Sequence, residues 1–425
     1  MVVNKTTGVI GMLLEFRCSN HKSIKNEITF SMLAGSDDTH EKSLKLHNGM
    51  RILRTAVIYG PNGSGKSNFI DALNFCALMV DKSMRFQPGE KVPQSEHKTS
   101  EEGDASSYAI QFLKEGIRYA YGFTVQDQEI AEEYLYYFPK GRQVKIFERS
   151  GQAVTPGDRY KSSFQQSLNV LKENRLFLAC GANFSNVKEV EAAFLFFTRD
   201  LVIYDSKKNN WMDYSLNLMR RDPDIKKIFL ILMRLLGNQI RDVRIPENQT
   251  KRIEAQVVYD QFETDLMTEE SDGVKKLFEI LCPLIDILSK GRVLICDELE
   301  TCLHEALIYQ IAELFQRTSD RFSAQLIFST HDTSLLDSNL FRRDQIWFTE
   351  LNEERATNLY SLMEIRNVRK TENLKNGYIL GKYGAIPMRN KNFWEEFEKQ
   401  IEIAGGSFDG RTESGTETSR GGYKR

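Results

Sequence analysis

Eight consecutive residues, Gly60-Pro61-Asn62-Gly63-Ser64-Gly65-Lys66-Ser67, carry the chemistry of phosphate binding. The pattern GxxxxGK[ST] has meaning where a β-prone run leads in and a helical pattern leads out. Here Thr55-Ala56-Val57-Ile58-Tyr59 precedes it, and residues 67–80 continue with helical period. In that setting the backbone N–H groups of Gly63 to Lys66 wrap a phosphate, and the helix N-terminus adds positive potential. Lys66 reaches the β and γ oxygens and Ser67 ligates a metal. The expected cofactors are ATP and Mg2+.

Hydrolysis also needs a carboxylate for the metal and a group that orients water. Val293-Leu294-Ile295-Cys296 is an apolar strand pattern ending in two acids. Asp297 is assigned to magnesium and Glu298 to the general base. A second apolar run, Gln325 to Phe328, leads through Ser329-Thr330 to His331-Asp332. A neutral imidazole at His331 bonds the γ-phosphate or the attacking water. Ser271-Asp272-Gly273 opens an amphipathic helix and reads in two ways. It is an ordinary N-cap, or Ser271 and Gly273 form a second anion cradle at a helix N-terminus.

The elements that must position these groups are legible from period. Residues 13–20 and 26–32 suggest two short strands around the polar turn His21-Lys22-Ser23. Residues 84–104 are polar and read as an exposed loop. Four β-prone runs at 108–113, 117–125, 133–138 and 143–149 then recur with turn residues between them, the pattern of an antiparallel meander. From about Phe164 to Arg244 the pattern turns helical. Beyond Ile253, strand and helix alternate, which implies a mainly parallel sheet covered by helices. The expected fold class is α/β, a P-loop NTPase with an antiparallel β subdomain. The expected divisions are 12–160, an inserted helical lobe 161–250, 251–365, an extension 366–404, and a disordered tail 405–425 rich in Gly, Ser, Thr and charge. Residues 1–11 are read as a short extension without function, with either Met1 or Met12 as the start.

Composition narrows the class of partner. The 425 residues carry 57 basic and 59 acidic side chains, a net charge of −2, so no global positive field draws the chain to nucleic acid or an anionic membrane. The local run Arg366-Asn367-Val368-Arg369-Lys370 is the place where DNA phosphates could be touched. Six cysteines without CxxC spacing argue for a reduced cytoplasmic setting and against a zinc site. The apolar run at 8–14 is too short for a membrane span.

Taken in order, the four motifs resemble the ABC-type ATPase heads of the SMC and RecF kind. The resemblance implies Walker A at Gly60 to Ser67, Walker B at Asp297 and Glu298, a switch histidine at His331, and a signature motif at Ser271-Asp272-Gly273 that acts in trans across a dimer. Leu299-Glu300-Thr301-Cys302-Leu303-His304 resembles the loop after Walker B, with Glu300 where aspartate is usual. No residue matches the Q-loop glutamine well, and Gln126 and Gln128 are the candidates. LLEFRCSNHKSI, KENRLFLACGA, ESDGVKKL and the stretch from Gly377 to Pro387 are similar to prokaryotic AAA-fifteen-type ATPases, a group that includes AriA-like and RloA-like subunits of anti-phage systems. That resemblance implies a homodimer or higher oligomer with ATP at its interface. It also implies a phage trigger and a separately encoded effector, a Toprim-like or other nuclease. After Asp337 there is no histidine and no acidic DxD cluster, so a fused nuclease is hard to place. A DNA-binding repair clamp is the alternative, and a transporter motor subunit a third reading.

Overall fold

The computed structural model describes residues 11–205, 210–246, 254–301, 303–317, 323–337, 339–369, 372–386 and 392–408, the last five as backbone only. Two sheets organise it. The first has seven strands in the order Ala153–Pro156, Val144–Ser150, Glu129–Phe138, Ile117–Gln126, Ser106–Lys114, Gly11–Ser19 and Ile28–Ser31, all antiparallel. Burial alternates from Ser106 to Phe112, as a half-covered sheet requires, and the strand's last residues, Leu113 and Lys114, are buried as well. The expected meander and N-terminal hairpin are both in this sheet.

The second sheet has six strands in the order Leu201–Asp205, Val293–Asp297, Gln325–Ser329, Thr55–Tyr59, Ile346–Leu351 and Thr357–Ser361. Its first five strands run parallel and only the last is antiparallel. Thr55–Tyr59 and Gln325–Ser329 are buried at every residue, the mark of strands covered on both faces. Alternate residues feed two cores. Ala56, Ile58, Ile295 and Ile327 join the apolar cluster of the seven-stranded sheet. Val57, Tyr59, Leu294, Leu326 and Phe328 join the cluster formed with the helices of the opposite face. The helix Lys66–Lys82 buries Phe69, Ala72, Leu73, Cys76 and Val80 at helical spacing into the first cluster.

Three expectations need correction. Residues 161–250 do not form one helical lobe, because Leu201–Asp205 is the edge strand of the parallel sheet, with Tyr204 opposite Cys296 and Asp205 opposite Asp297. A five-residue apolar run between helices is too short for its period to declare it. The helices before it pack in one core and those after it in the other. Secondly, residues 366–386 are no extension. Tyr378 and Tyr383 are buried against Phe348, and one compact unit runs through Ile386. Lastly, the second unit contains a helix, Phe393–Phe408, that passes the expected start of the tail at 405; residues 409–425 lie outside the described residues. Among the described residues no helix is long and apolar enough to cross a membrane.

The stretch 84–104 is pinned rather than loose. Asn174 Nδ2 donates to the carbonyls of Gln87 and Glu90 at 2.8 and 2.6 Å, and Arg175 donates to that of Phe86 at 3.0 Å. These two side chains come from the KENRLFLACGA motif. Glu133 anchors the same motif from below. It is fully buried, pairs with Arg149, and accepts the N–H of Phe177 and Leu178 at the start of the helix Phe177–Phe184 at 2.5 and 2.8 Å. Removing one member of such a pair strands a buried charge. Glu133→Ala is therefore expected to lower unfolding free energy by about 3–5 kcal/mol, read from the shift in urea midpoint. A change within 1 kcal/mol, a size about as small as that of an exposed ion pair, would show that the network is dispensable.

Candidate functional site

Five parallel strands deliver their carboxyl ends to one edge of the second sheet, where ligands bind in open α/β folds. The P-loop leaves the fourth of these in sheet order after Tyr59 and turns into the helix Lys66–Lys82, whose N-terminus has no side-chain cap and no acid in its first turn. Its first N–H groups are left for an anion. Gly65 lies at φ +106°, and a Cβ there would stand 2.0 Å from Thr357 Oγ1. Only glycine fits. Gly63 also has positive φ, +77°, but faces open space. At the start of the loop a Cβ on Gly60 would meet the carbonyl oxygen of Thr349 at 2.5 Å. Pro61 and Asn62 form the crest, with Asn62 exposed.

Lys66 Nζ donates to the carbonyls of Gly60 and Pro61 at 2.7 and 3.1 Å, bonds that phosphate oxygens can replace. Burial pulls its ammonium below the usual lysine range, against the pull of Asp297, Glu298 and Glu300. These charges are therefore neighbours of Lys66. Ser67 is exposed one residue further on. Asp297 and Glu298 are held by a residue that the sequence reading passed over. Ser329 Oγ donates to Asp297 Oδ1 at 2.6 Å and accepts the Glu298 N–H at 2.8 Å. Glu298 has φ +46°, a sparsely populated conformation for a residue with a side chain, and the turn is closed by Thr301 bonding back to the Glu298 carbonyl.

His331 follows the adjacent strand. Its backbone N–H donates to Glu300 Oε1 at 2.5 Å, while the other carboxylate oxygen of Glu300 is buried without a partner. Burial, and then Lys66, hold the imidazole below its ordinary pKa of 6.5, with Glu300, Glu298 and Asp297 opposing. Its neutral form therefore prevails at pH 7. The structure thus brings Lys66, Asp297, Glu298 and His331 together, and adds Glu300.

A hydroxyl clamp holds the P-loop from outside. Ser64 Oγ bonds Thr349 Oγ1 at 2.6 Å, and Thr357 Oγ1 donates to the Ser64 carbonyl at 3.0 Å. Ser23 Oγ bonds Thr357 Oγ1 at 2.7 Å and accepts from Asn68 at 2.6 Å. Lys22 and His21 both bond Asp71, one turn along the same helix, at 2.6 and 3.0 Å. The turn His21-Lys22-Ser23 is thereby part of the site. Its only sequence signal was an unusually polar turn between two apolar strands.

Ser271 and Gly273 stand elsewhere. Ser271 caps the helix Asp272–Lys290, accepting the Val274 N–H at 3.3 Å, and a Cβ on Gly273 would meet nothing closer than Ser271 Oγ at 3.9 Å. The helix returns through Gly291 into Val293–Asp297, and Lys276 and Glu279 in its second turn bond Tyr204 near the carboxyl end of Leu201–Asp205. Its N-terminus is thus on the P-loop edge of the sheet. Leu201–Asp205 is three strand positions from Thr55–Tyr59, about 14 Å at the usual spacing. Ser271 does not reach the P-loop of its own chain.

The two glutamine candidates stand apart from this edge. Gln126 spends its amide on the Gly103 carbonyl, and the Gln128 N–H bonds Gln94, so the two sit in a hairpin turn of the meander. In the basic run, Arg366 and Arg369 are exposed, Val368 is buried with its carbonyl on Arg343, and Lys370 lies outside the described residues, as does Cys302. The cradle that admits only glycine, the uncapped helix start and the Lys66 ammonium fit a nucleotide triphosphate. A hydroxyl and a carboxylate, Ser67 and Asp297, are the hard oxygen donors that magnesium takes.

A family model described as "AAA domain, putative AbiEii toxin, Type IV TA system" matches residues 56–337. No curated protein matches the chain in sequence. Among solved structures the chain is similar to an SMC head bound to the C-winged helix domain of ScpA, at TM-score 0.44 and 14% identity, covering 82% of this chain and 97% of that one. It is also similar to the SMC head domain from Thermotoga maritima, at TM-score 0.41 and 13% identity, covering 82% and 98%. A third is an Smc head domain with an extended coiled coil bound to the C-terminal domain of ScpA, derived from Pyrococcus furiosus. It has TM-score 0.39 and 13% identity, covering 83% and 96%.

The glycine geometry is directly testable. Gly65→Ala should weaken binding of a fluorescent ATP analogue at least about tenfold, a loss of roughly 1.4 kcal/mol. Gly63→Ala, strained in φ but unobstructed, should lose less. Equal losses would show that Thr357 does not shape the loop.

Proposed function

The chain belongs to this AAA-domain family, and from that premise we propose that it binds and hydrolyses ATP as a dimer, to regulate a separately encoded effector in the cytoplasm. The observation that supports the dimer is the placement of Ser271 and Gly273: exposed at the start of a helix whose second turn bonds the edge strand Leu201–Asp205, three strand positions from the strand that feeds the P-loop. A second copy related by a two-fold axis would bring its Ser271 to this P-loop, and the reverse.

In this reading Ser67 and Asp297 would hold magnesium, which when bound neutralises charge on the β and γ oxygens. The remaining steps belong to the chain's own groups. Lys66 exchanges the carbonyls of Gly60 and Pro61 for phosphate oxygens. Glu298 takes the proton of the attacking water as that water adds to the γ-phosphorus and the bond from the γ-phosphorus to the β–γ bridging oxygen breaks, releasing ADP and phosphate. His331, neutral through burial and the proximity of Lys66, can bond the γ-phosphate or the water. Through Glu300, whose carboxylate holds the His331 N–H, a shift in the loop after Asp297 is passed to the imidazole.

The regulatory role rests on what accompanies the ATPase set. The sequence carries no second catalytic motif, and among the described residues no three His, Cys, Asp or Glu side chains gather as a metal site. A nuclease supplied by another chain, released or restrained by the ATP state, fits a toxin–antitoxin setting of the kind the family's description names. A role in anti-phage defence follows from the resemblance to AriA-like and RloA-like ATPases.

Glu298→Gln is expected to cut hydrolysis about a hundredfold and to accumulate an ATP-bound dimer, measured by phosphate release and by light scattering. Normal turnover would remove Glu298 as the base. Ser271→Arg should leave ATP binding by the monomer intact yet prevent the dimer, and dimers at wild-type level would defeat the trans assignment. With neutral His331 required, single-turnover rate should fall as pH drops through a midpoint below 6.5, and His331→Gln should flatten that limb.

A further inference from the structure

Among the described residues each main sheet ends in strands paired on one side only, and two of those open edges border one cavity. Ile28–Ser31 closes the seven-stranded sheet and Thr357–Ser361 closes the six-stranded sheet, with no ladder joining them. The cavity between them measures about 590 Å³, and its walls include Glu27, Thr29, Ser31, Trp347, Leu359 and Glu364.

Strand parity decides which backbone groups face it. The Met32 N–H donates to the Leu14 carbonyl at 2.8 Å, and Phe30 lies opposite Phe16. In an antiparallel pair the bonding residues alternate, so Ile28 and Phe30 also turn inward while Thr29 and Ser31 direct N–H and C=O away from their neighbour. On the other lip the Asn352 N–H donates to Ala356 at 2.9 Å, which sets Asn358 and Tyr360 toward the inner strand and leaves Leu359 facing out. Two independent bonds confirm that parity: the Thr357 N–H goes to Ser23 and the Ser361 N–H to Glu364, both away from the inner strand. Open strand edges of this kind template further strands, and proteins usually cover or charge them.

Two other features describe an occupant. Trp347, tilted at 47° to Phe30 with 4.8 Å between centroids, is 4% exposed, and its indole N–H has no hydrogen-bond partner. Buried tryptophan N–H groups normally find an acceptor. Of the side chains around the cavity, Glu27 and Glu364 are the charged ones, and both are acids.

We propose that this cavity is a docking groove for an extended segment of a partner polypeptide that adds to the sheet edge as a β-strand and carries Lys or Arg. Its backbone bonds Thr29 and Ser31 along one edge, with Leu359 on the facing wall, giving affinity without sequence, and its basic side chains meet Glu27 and Glu364, giving selectivity. Thr357 forms part of the same wall and holds the Ser64 carbonyl, so the bound segment lies beside the P-loop. This inference does not depend on the dimer or on hydrolysis.

The test is selection of a phage-displayed library of random seven-residue peptides on the full-length protein. Enriched peptides should be rich in Lys and Arg and poor in Pro. A synthetic copy should slow amide exchange at Thr29 and Ser31. Thr29→Pro removes one outward N–H at a position where an edge strand tolerates proline. It should weaken that peptide at least tenfold with ATP binding unchanged, and Glu27→Lys should do so without touching the backbone. The proposal is overturned if nothing is enriched, if acidic peptides are, or if the enriched peptides bind both variants as well as the parent. It is equally overturned if the same amides are protected by self-association with no peptide bound, which would give the groove to a second copy.

Discussion

The site depends on the register of three buried parallel strands. With Ser329 opposite Ile58 and Cys296 opposite Phe328, the ends of the strands carrying Asp297, Ser329 and Tyr59 arrive at one edge. Both faces of these strands are buried, so a slip of one residue would exchange every side chain between two differently shaped cores. Ala56, Ile58, Ile295 and Ile327 would have to trade places with Val57, Tyr59, Leu294 and Leu326. Packing on two sides thereby becomes positional accuracy at the third. It is what allows one hydroxyl, Ser329, to serve both Asp297 and Glu298.

Hydroxyls recur where glycine leaves space. Thr349 and Thr357 occupy the volumes that side chains on Gly60 and Gly65 would need, and both reach Ser64. The loop is thus shaped from outside by strands far along the chain, and the N-terminal turn completes the ring through Ser23. Such bonds are short and mutually buried, so their loss would leave polar groups unsatisfied as well as loosen the loop. The same Thr357 borders the groove between the two open strand edges, which joins the nucleotide loop to a surface suited to a partner strand.

Much of this was legible in sequence because the decisive signals are local. A P-loop between a β-prone run and a helical run, and apolar strands ending at Asp297 and His331, are patterns of a few residues whose chemistry needs little context. The meander was equally readable, since alternation repeats within each strand. What escaped depends on partners distant in sequence. Leu201–Asp205 is a strand only because Val293–Asp297 lies beside it. The stretch 84–104 is ordered by Asn174, Arg175 and, through the N–H of Lys22, Ser95. The tyrosines of 378 and 383 find their burial on Phe348. Ser329 and Thr357 look like ordinary strand residues until the partner atoms are known.

Charge gives a reason why the proposed dimer would share the site between chains. Around Lys66 stand Asp297, Glu298 and Glu300, and the nearby imidazole is neutral at pH 7. One ammonium among three carboxylates leaves a local excess of negative charge before a polyphosphate enters. A magnesium ion offsets two of those charges and the helix N-terminus about half of another. The balance still favours a further donor of positive potential. The N-terminus of the helix Asp272–Lys290 is exposed and offers backbone N–H groups, although the Asp272 carboxylate in its first turn subtracts from its positive potential. In the proposed dimer two such helix ends would supply each nucleotide with N–H donors that its own subunit lacks, and closure would then be favoured when ATP is present.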